Sequence, residues 1–204
     1  LSYLAVKPDG IYLDGTLGLG GHASAVQKQL SPKGHLVGFD GDEEAVRHCE
    51  KMLSPTCHLV QAPYDTFPQH LSSLSIQAVD GMLLDLGMSS YQLDTPARGF
   101  AYRTEGPLDM RFDENGPTTA RHIVNSWPVS ELKKLFKETG EERRASAIAT
   151  AIAKARDSNP VDTTSDLTHI IKSVVGDHAA TKALSRTFQA LRMVVNGELA
   201  CLEK

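Results

Sequence analysis

The stretch "DGTLGLGGHA", residues 14–23, contains four glycines directly after the short apolar run "IYL". Glycines at this density do not fill a core, so they indicate that the backbone comes close to another group. Residues 18–23 fit the G-x-G-x-x-A fingerprint of dinucleotide-binding loops, which by itself is a weak match and also suits other nucleotide-like cofactors. The stretch therefore predicts a cofactor loop between a strand and a helix.

Strand-like and helix-like segments alternate four times around this loop. The predicted strands are 11–15, 35–40, 57–62 and 79–86, and the predicted helices between them are 21–30, 42–53 and 65–74. The fourth strand is almost continuously apolar, as are parallel strands that are buried on both faces. The alternation predicts a parallel, doubly wound sheet with right-handed crossovers.

The pattern changes after the fourth strand. Residues 87–116 are rich in Gly, Ser, Asp, Arg and Pro and show no periodicity, and the chain is then predicted to be helical at 118–126, 129–138, 141–157, 164–175 and 183–203. Residues 163–166 (TTSD) have the capping-box form at the start of one of these helices. We therefore expect an α/β protein with a Rossmann-like core at 1–105, an all-helical unit at 106–180, and a helix at 181–204 that returns to the core.

The net charge of −4 is unevenly distributed. Residues 1–105 hold seven Lys/Arg and twelve Asp/Glu, whereas residues 106–204 hold fourteen and thirteen. An acidic first half repels phosphates, so a nucleic-acid partner is expected to contact the second half. The available basic cluster is Lys133, Lys134, Lys137, Arg143 and Arg144. The alternative is that these side chains form only a solvated helix face.

The cysteines and the hydropathy of the chain indicate the compartment in which we expect the protein. The three cysteines, Cys49, Cys57 and Cys201, lack metal-ligand spacing, so we expect reduced thiols in a cytoplasmic protein and no metal site. No apolar run approaches the roughly 20 residues that span a bilayer, so no membrane association is expected. The oligomeric state does not follow from the sequence.

Carboxylates end three of the four predicted strands, at Asp14, Asp40 and Asp85. Ligands of doubly wound sheets bind beyond these ends, and Asp40 follows Gly20 at the distance at which an acid binds ribose hydroxyls. S-adenosylmethionine has no phosphate and carries a cationic sulfonium, which suits Asp14 and Asp85. Two alternatives remain: an NAD-dependent oxidoreductase, favoured by the G-x-G-x-x-A match, and a non-catalytic RNA-binding module.

Five stretches occur in one order along the chain. They are "DGTLGLGGH" (14–22), "DLGMSSYQLD" (85–94), "RGFAYRTEGPLDMRFD" (98–113), "GEERRASAIATAI" (140–152) and "RTFQALRMVVNGEL" (186–199). Together they resemble the bacterial ribosomal RNA small subunit methyltransferase H family, also called MraW. The resemblance implies a Rossmann-like S-adenosylmethionine-dependent methyltransferase with an inserted helical substrate-recognition domain. It also implies methylation of the exocyclic N4 of a cytidine in the decoding region of 16S ribosomal RNA.

The resemblance also implies a set of cofactor-binding residues. They are Gly20, Gly21, His22, Asp40, Tyr64, Asp85 and Gln92. In this assignment Asp40 takes the ribose hydroxyls and Tyr64 packs near the adenine, where the family often has Phe. The family continues beyond the last of the five stretches into further strands, so the chain is expected to lack the final strands of the sheet.

The mechanism requires a group that accepts a proton from the cytosine amine, because the lone pair of that amine is delocalised into the ring. Asp85 is the candidate catalytic acceptor, with Ser89 or Ser90 as alternatives. Asp109 and Arg111 are predicted to bind the RNA substrate, since an arginine fork suits a phosphate or a base edge. The alternative for this pair is an ion pair that closes the long loop.

The variant Asp40→Ala tests the predicted cofactor site. We expect it to weaken S-adenosylmethionine binding by about 1.5–3 kcal/mol, because charge-assisted hydrogen bonds to the ribose are removed while the fold stays intact. Isothermal titration calorimetry measures this change, and NAD is expected not to bind. Unchanged affinity in the variant would show that Asp40 faces solvent.

Overall fold

In the computed structural model, which describes residues 2–203, four parallel strands form one sheet in the order β3-β2-β1-β4. The strands are β1 (Ile11–Asp14), β2 (His35–Asp40), β3 (His58–Gln61) and β4 (Gly81–Leu83). The predicted parallel α/β sheet is confirmed. Because all four strands run in one direction, their carboxyl ends lie along one edge of the sheet.

Three helices connect these strands: α1 (Gly21–Gln27), α2 (Glu43–Met52) and α3 (Phe67–Ser73). Asp42 caps α2, because its Oδ1 accepts a hydrogen bond from the Glu44 N–H at 3.0 Å. Side chains alternate between the faces of β1, so Tyr12 joins one buried cluster and Leu13 joins another. The two central strands, β1 and β2, are thus buried on both faces. The prediction that the fourth strand is also buried on both faces is wrong: β4 is short and only partly buried, because it lies at the end of the strand order.

The second half of the chain is helical. Its helices are α4 (Ser90–Asp94), α5 (Ala120–Ser126), α6 (Val129–Lys134), α7 (Ala145–Arg156), α8 (Thr164–Val175), α9 (Asp177–Val195) and α10 (Glu198–Leu202). The predicted capping box is confirmed: Thr163 Oγ1 accepts from the Asp166 N–H, and Asp166 Oδ2 accepts from the Thr163 N–H. One large apolar cluster forms the core of this half.

Two of the predicted helices are interrupted, which corrects the sequence prediction. The helix expected at 183–203 ends at Val195, because Gly197 adopts a left-handed φ of +62°, and α10 follows as a separate helix. The helix expected at 129–138 changes after Lys134 into a π-helical turn at Leu135–Thr139. Local apolar spacing does not reveal either change, since both halves of each segment keep helical periodicity.

The chain divides into two compact units. The first runs up to Ser89 and also takes in the end of the chain from Cys201, and the second is Ser90–Ala200. The boundary predicted at residue 105 falls within the second unit. The roles predicted for 1–105, 106–180 and 181–204 stay predictions. Across residues 2–203, none of the helices combines the length and apolar character that a membrane crossing needs.

Candidate active site

The glycine loop follows β1 and is held by the end of β2. The Gly18 N–H donates a hydrogen bond to Asp40 Oδ2 at 2.8 Å, and the Leu17 N–H donates to the Phe39 carbonyl oxygen at 3.0 Å. Gly18 and Gly20 adopt left-handed φ values of +51° and +75°. The loop therefore has a fixed path that depends on glycine and on Asp40.

Close packing beneath the loop also requires glycine at position 20. A Cβ on Gly20 would lie 2.3 Å from Met52 Cε and 2.9 Å from Cys49 Sγ. Gly21, the next residue, is exposed and has no neighbouring atom within 4 Å of such a Cβ. The two adjacent glycines thus have different roles: Gly20 packs against α2, whereas Gly21 opens α1 with its backbone facing solvent.

Asp40 has a structural role that sequence reasoning did not reveal. Its Oδ1 accepts from the Asp42 N–H at 2.9 Å, while its Oδ2 accepts from the Gly18 N–H. A carboxylate oxygen can accept more than one hydrogen bond, so these bonds are compatible with the predicted ribose contact, which stays a prediction. The weakening expected for Asp40→Ala therefore includes reorganisation of the glycine loop.

Asp85 extends beyond the end of β4 with 70% of its side chain exposed. Its backbone N–H donates to Thr16 Oγ1 at 2.7 Å, which ties the segment after β4 to the glycine loop. Its Oδ2 lies 3.8 Å from His22 Nδ1, so the structure brings these two predicted site residues together. Thr16 was missed in the sequence prediction, although it lies within the motif "DGTLGLGGH".

Asp14 ends β1 and is 2% exposed. Its Oδ1 accepts from the Thr16 N–H at 3.1 Å, whereas its Oδ2 is buried without a hydrogen-bond donor among residues 2–203. Burial raises the pKa of this carboxyl above its usual range, and the nearby carboxylates of Asp40 and Asp85 raise it further. Asp14 and Asp85, at or beyond the ends of neighbouring strands, thus differ sharply in exposure.

Cys49 and Tyr64, also in the first unit, both pack against the glycine loop. Burial raises the pKa of the Cys49 thiol to about 11, so it remains a protonated packing group under the loop. Tyr64 follows β3, and its Cβ lies 2.9 Å from the position that a Cβ on Gly15 would occupy. The start of the glycine loop therefore packs directly against Tyr64, and its predicted contact with an adenine stays a prediction.

Gln92, Asp109 and Arg111 belong to the second unit. Gln92 is buried within α4. The side chains of Asp109 and Arg111 form a two-point ion pair with distances of 2.8 and 2.7 Å, and Arg111 Nη1 also donates to the Gly116 carbonyl oxygen. The ion pair that we gave as the alternative role of these two residues is therefore present in the structure. An RNA-binding role for them stays a prediction.

The same loop is clamped by Asn196, another residue missed in the sequence prediction. Asn196 Oδ1 accepts from the Phe112 N–H at 2.7 Å, and its Nδ2 donates to the Met110 carbonyl oxygen at 2.8 Å. Met110, whose carbonyl accepts one of these bonds, is buried and adopts a φ of +67°, which is a strained conformation for a residue with a side chain. The Asn-Gly pair that ends α9 was the signal available in the sequence.

The site suits a cofactor that carries positive charge. The motif at 14–22 contains no Lys or Arg, whereas Asp14 ends β1, Asp40 ends β2 and Asp85 follows the end of β4. This donor set fits a sulfonium better than a pyrophosphate, and the fixed glycine loop provides close backbone approach. A parallel sheet with these features defines a Rossmann-like methyltransferase core.

The comparisons with known proteins identify the family. The MraW methylase family model matches residues 1–204, and the chain belongs to this family. The chain is 47% identical to ribosomal RNA small subunit methyltransferase H of Halothermothrix orenii, covering 100% of this chain and 67% of that protein. It is 44% identical to the protein of the same name from Caldicellulosiruptor saccharolyticus, covering 97% of this chain and 66% of that protein. The chain spans about two thirds of the length of these curated relatives.

Family membership confirms the recognition made from the five stretches. It also confirms the predicted α/β fold class and the predicted class of enzyme, a methyltransferase of a family that uses S-adenosylmethionine. The nicotinamide alternative rested on the glycine fingerprint alone, and neither the carboxylates of the site nor the relatives support it. The individual site residues stay predictions.

Paired variants test the role of the glycine loop. We expect Gly20→Ala to lower the free energy of unfolding by about 1–3 kcal/mol, because an L residue is strained at φ +75° and its Cβ would lie 2.9 Å from Sγ of the buried Cys49. Gly21→Ala is the matched control and is expected to leave stability within about 0.5 kcal/mol, since its Cβ enters open space. Chemical denaturation measures both. Equal stability of the two variants would contradict the packing argument.

Proposed function

We propose that this chain transfers a methyl group from S-adenosylmethionine to the exocyclic N4 of a cytidine in 16S ribosomal RNA. The observation that carries the proposal is the exposed Asp85 carboxylate, which is hydrogen-bonded through its backbone to the glycine loop. The relatives named above, ribosomal RNA small subunit methyltransferases, support the substrate class.

Different residues of the first unit bind different parts of S-adenosylmethionine. The backbone of Gly20, Gly21 and His22 receives the methionine portion of the cofactor, and Asp40 binds the ribose hydroxyls. Tyr64 provides a flat surface for the adenine. When bound, S-adenosylmethionine supplies an electrophilic methyl group on a cationic sulfonium.

Asp85 is the group that accepts the proton lost by the N4 amine. The N4 nitrogen forms a bond to the methyl carbon as the carbon–sulfur bond breaks, and N4 must lose one proton to remain neutral. An exposed carboxylate at the edge of the site accepts this proton and passes it to solvent. His22 lies 3.8 Å from Asp85 and orients that carboxylate. Ser89 and Ser90 remain alternative acceptors.

The RNA contact is assigned to the second unit, in which Gln92, Asp109 and Arg111 also lie. Lys133 and Lys134 end α6, Lys137 lies on the π-helical turn, and Arg143 precedes α7 with its side chain exposed. These four side chains are the phosphate contacts that we propose. Arg144 differs, because its Nη1 donates to the Val174 carbonyl oxygen at 2.7 Å.

The variant Asp85→Asn tests the proposed chemistry. We expect methyl transfer to small-subunit RNA to fall about 100- to 10,000-fold, because the amide no longer accepts a proton, while the protein still binds S-adenosylhomocysteine. Transfer is followed with isotopically labelled cofactor, and the product nucleoside is identified by chromatography. The control Asp80→Asn removes a carboxylate that precedes β4, at the opposite end of that strand.

Two outcomes would contradict this assignment. A larger decrease in Ser89→Ala or Ser90→Ala than in Asp85→Asn would place the acceptor on a hydroxyl. Absence of transfer in the unmodified chain, with RNA binding retained, would favour the non-catalytic RNA-binding module.

A fourfold variant tests the RNA surface. Replacing Lys133, Lys134, Lys137 and Arg143 by Gln is expected to weaken RNA binding. The slope of log K against log salt should become shallower by about 0.7–0.9 for every phosphate that the protein no longer neutralises. Arg144 is kept, since its replacement would also remove its bond to α8. Cofactor affinity is expected to remain unchanged.

A charge-matched set in the first unit serves as the control. It replaces Lys28, Lys33, Arg47 and Lys51 by Gln, all of which lie on the surface of that unit. We expect this set to leave RNA affinity and its salt slope near those of the unmodified protein. Equal effects of the two sets would show that the second unit has no specific RNA surface.

A further inference from the structure

The buried carboxyl of Asp14 has one oxygen that nothing in the described structure satisfies. Oδ1 accepts from the Thr16 N–H, but Oδ2 is enclosed and has no donor among residues 2–203. An ionised oxygen that is buried without a donor or a cation costs several kcal/mol, whereas a protonated carboxyl costs far less. The geometry therefore favours a neutral Asp14 in the absence of ligand.

The charged groups around Asp14 reinforce this state. Asp40 at the end of β2 and Asp85 after β4 disfavour a third negative charge, whereas His22 at the start of α1 favours it. Burial is the largest cause of the raised pKa of Asp14. From α2, the neighbouring Cys49 remains a neutral thiol. The protonation equilibrium of Asp14 shifts toward the ionised form only when a positive charge enters the site.

We infer that Asp14 is an internal counter-charge that distinguishes S-adenosylmethionine from its demethylated product. Asp14 holds a proton when the site contains no cationic ligand and releases that proton to solvent when S-adenosylmethionine binds. This inference rests on the cofactor proposed above and adds a residue to the way in which that cofactor is recognised.

The charges of the two cofactor forms define the mechanism of discrimination. S-adenosylmethionine carries one net positive charge, from the sulfonium, and S-adenosylhomocysteine carries none. Methyl transfer converts the sulfonium to a neutral thioether. Because the positive charge that stabilised the Asp14 carboxylate is then gone, the carboxyl takes up a proton from solvent. The product is then held by a neutral group, whereas the substrate is held by an anion.

The sign of the pH dependence follows from this exchange. Because binding of S-adenosylmethionine releases a proton, its affinity rises with pH while Asp14 is protonated in the free protein. The rise approaches tenfold per pH unit and stops once the pH exceeds the raised pKa of Asp14. Affinity for S-adenosylhomocysteine is expected to show no such rise, so the ratio of the two affinities increases with pH.

Titration calorimetry of the chain tests this directly. Affinities for S-adenosylmethionine and S-adenosylhomocysteine are measured between about pH 5 and pH 8, and each titration is repeated in buffers of different ionisation enthalpy to count protons. We expect release of up to one proton with S-adenosylmethionine and a smaller count with S-adenosylhomocysteine. Asp14→Asn should make the counts equal and remove the pH dependence of the affinity ratio.

Asp80→Asn is the matched control, since Asp80 accepts hydrogen bonds from the Ile11 N–H and from Lys7 Nζ, away from the carboxyl ends of the strands. It is expected to leave the difference in proton count unchanged. If Asp14→Asn fails to fold, infrared difference spectra of the unmodified protein provide the readout. The carbonyl stretch of a protonated carboxyl group should disappear with S-adenosylmethionine and persist with S-adenosylhomocysteine.

The outcomes separate this inference from the proposed function. Binding of both cofactor forms with equal proton counts overturns the role of Asp14 and leaves the methyltransferase proposal intact. A difference in proton count that persists in Asp14→Asn assigns the proton release to another group and also overturns the inference. Binding of neither form overturns the proposed function and this inference together.

Discussion

The hydrogen bond from the Gly18 N–H to Asp40 Oδ2 fixes the geometry on which the first unit depends. It joins the glycine loop after β1 to the end of β2, the neighbouring strand in the sheet. A second bond, from the Asp85 N–H to Thr16 Oγ1, joins the same loop to the segment after β4 on the other side. With both neighbours attached, the loop is positioned before any ligand binds, which lowers the conformational cost of binding.

Three aspartates at the same edge of the sheet have different properties because their surroundings differ. Asp14 is buried, which raises the pKa of its carboxyl, Asp40 has backbone donors on both oxygens, and Asp85 is largely exposed. Burial penalises charge, donors stabilise it, and exposure leaves a carboxylate ready to exchange protons with water. These differences support the three roles that we propose for these aspartates: counter-charge, ribose ligand and proton acceptor.

In the second unit, contacts within the chain hold the long loop before α5. The Asp109–Arg111 ion pair and two hydrogen bonds of Asn196, one accepted and one donated, hold the loop around buried Met110, which has a strained conformation. Such strain persists only where neighbouring contacts over-determine the backbone, and it often marks a segment whose shape matters for binding. Since Arg111 uses its guanidinium within the loop, the exposed basic residues around the π-helical turn are the better candidates for phosphate contacts.

The sequence by itself determined the features that local pattern encodes: the parallel sheet from alternating apolar segments, the glycine-rich turn between β1 and α1, the helix cap at 163–166, and the family from five stretches. Each of these signals lies within one strand, turn or helix, so a linear pattern contains it. Only the tertiary structure decided what depends on distant partners, such as the bond from Gly18 to Asp40 and the clamp of Asn196 on the long loop. Burial and hydrogen-bond satisfaction are properties of the packed surroundings, and no spacing rule reports them. The sequence therefore named Asp14 only as a charge that suits a sulfonium, whereas the fold made it a buried group with one unsatisfied oxygen.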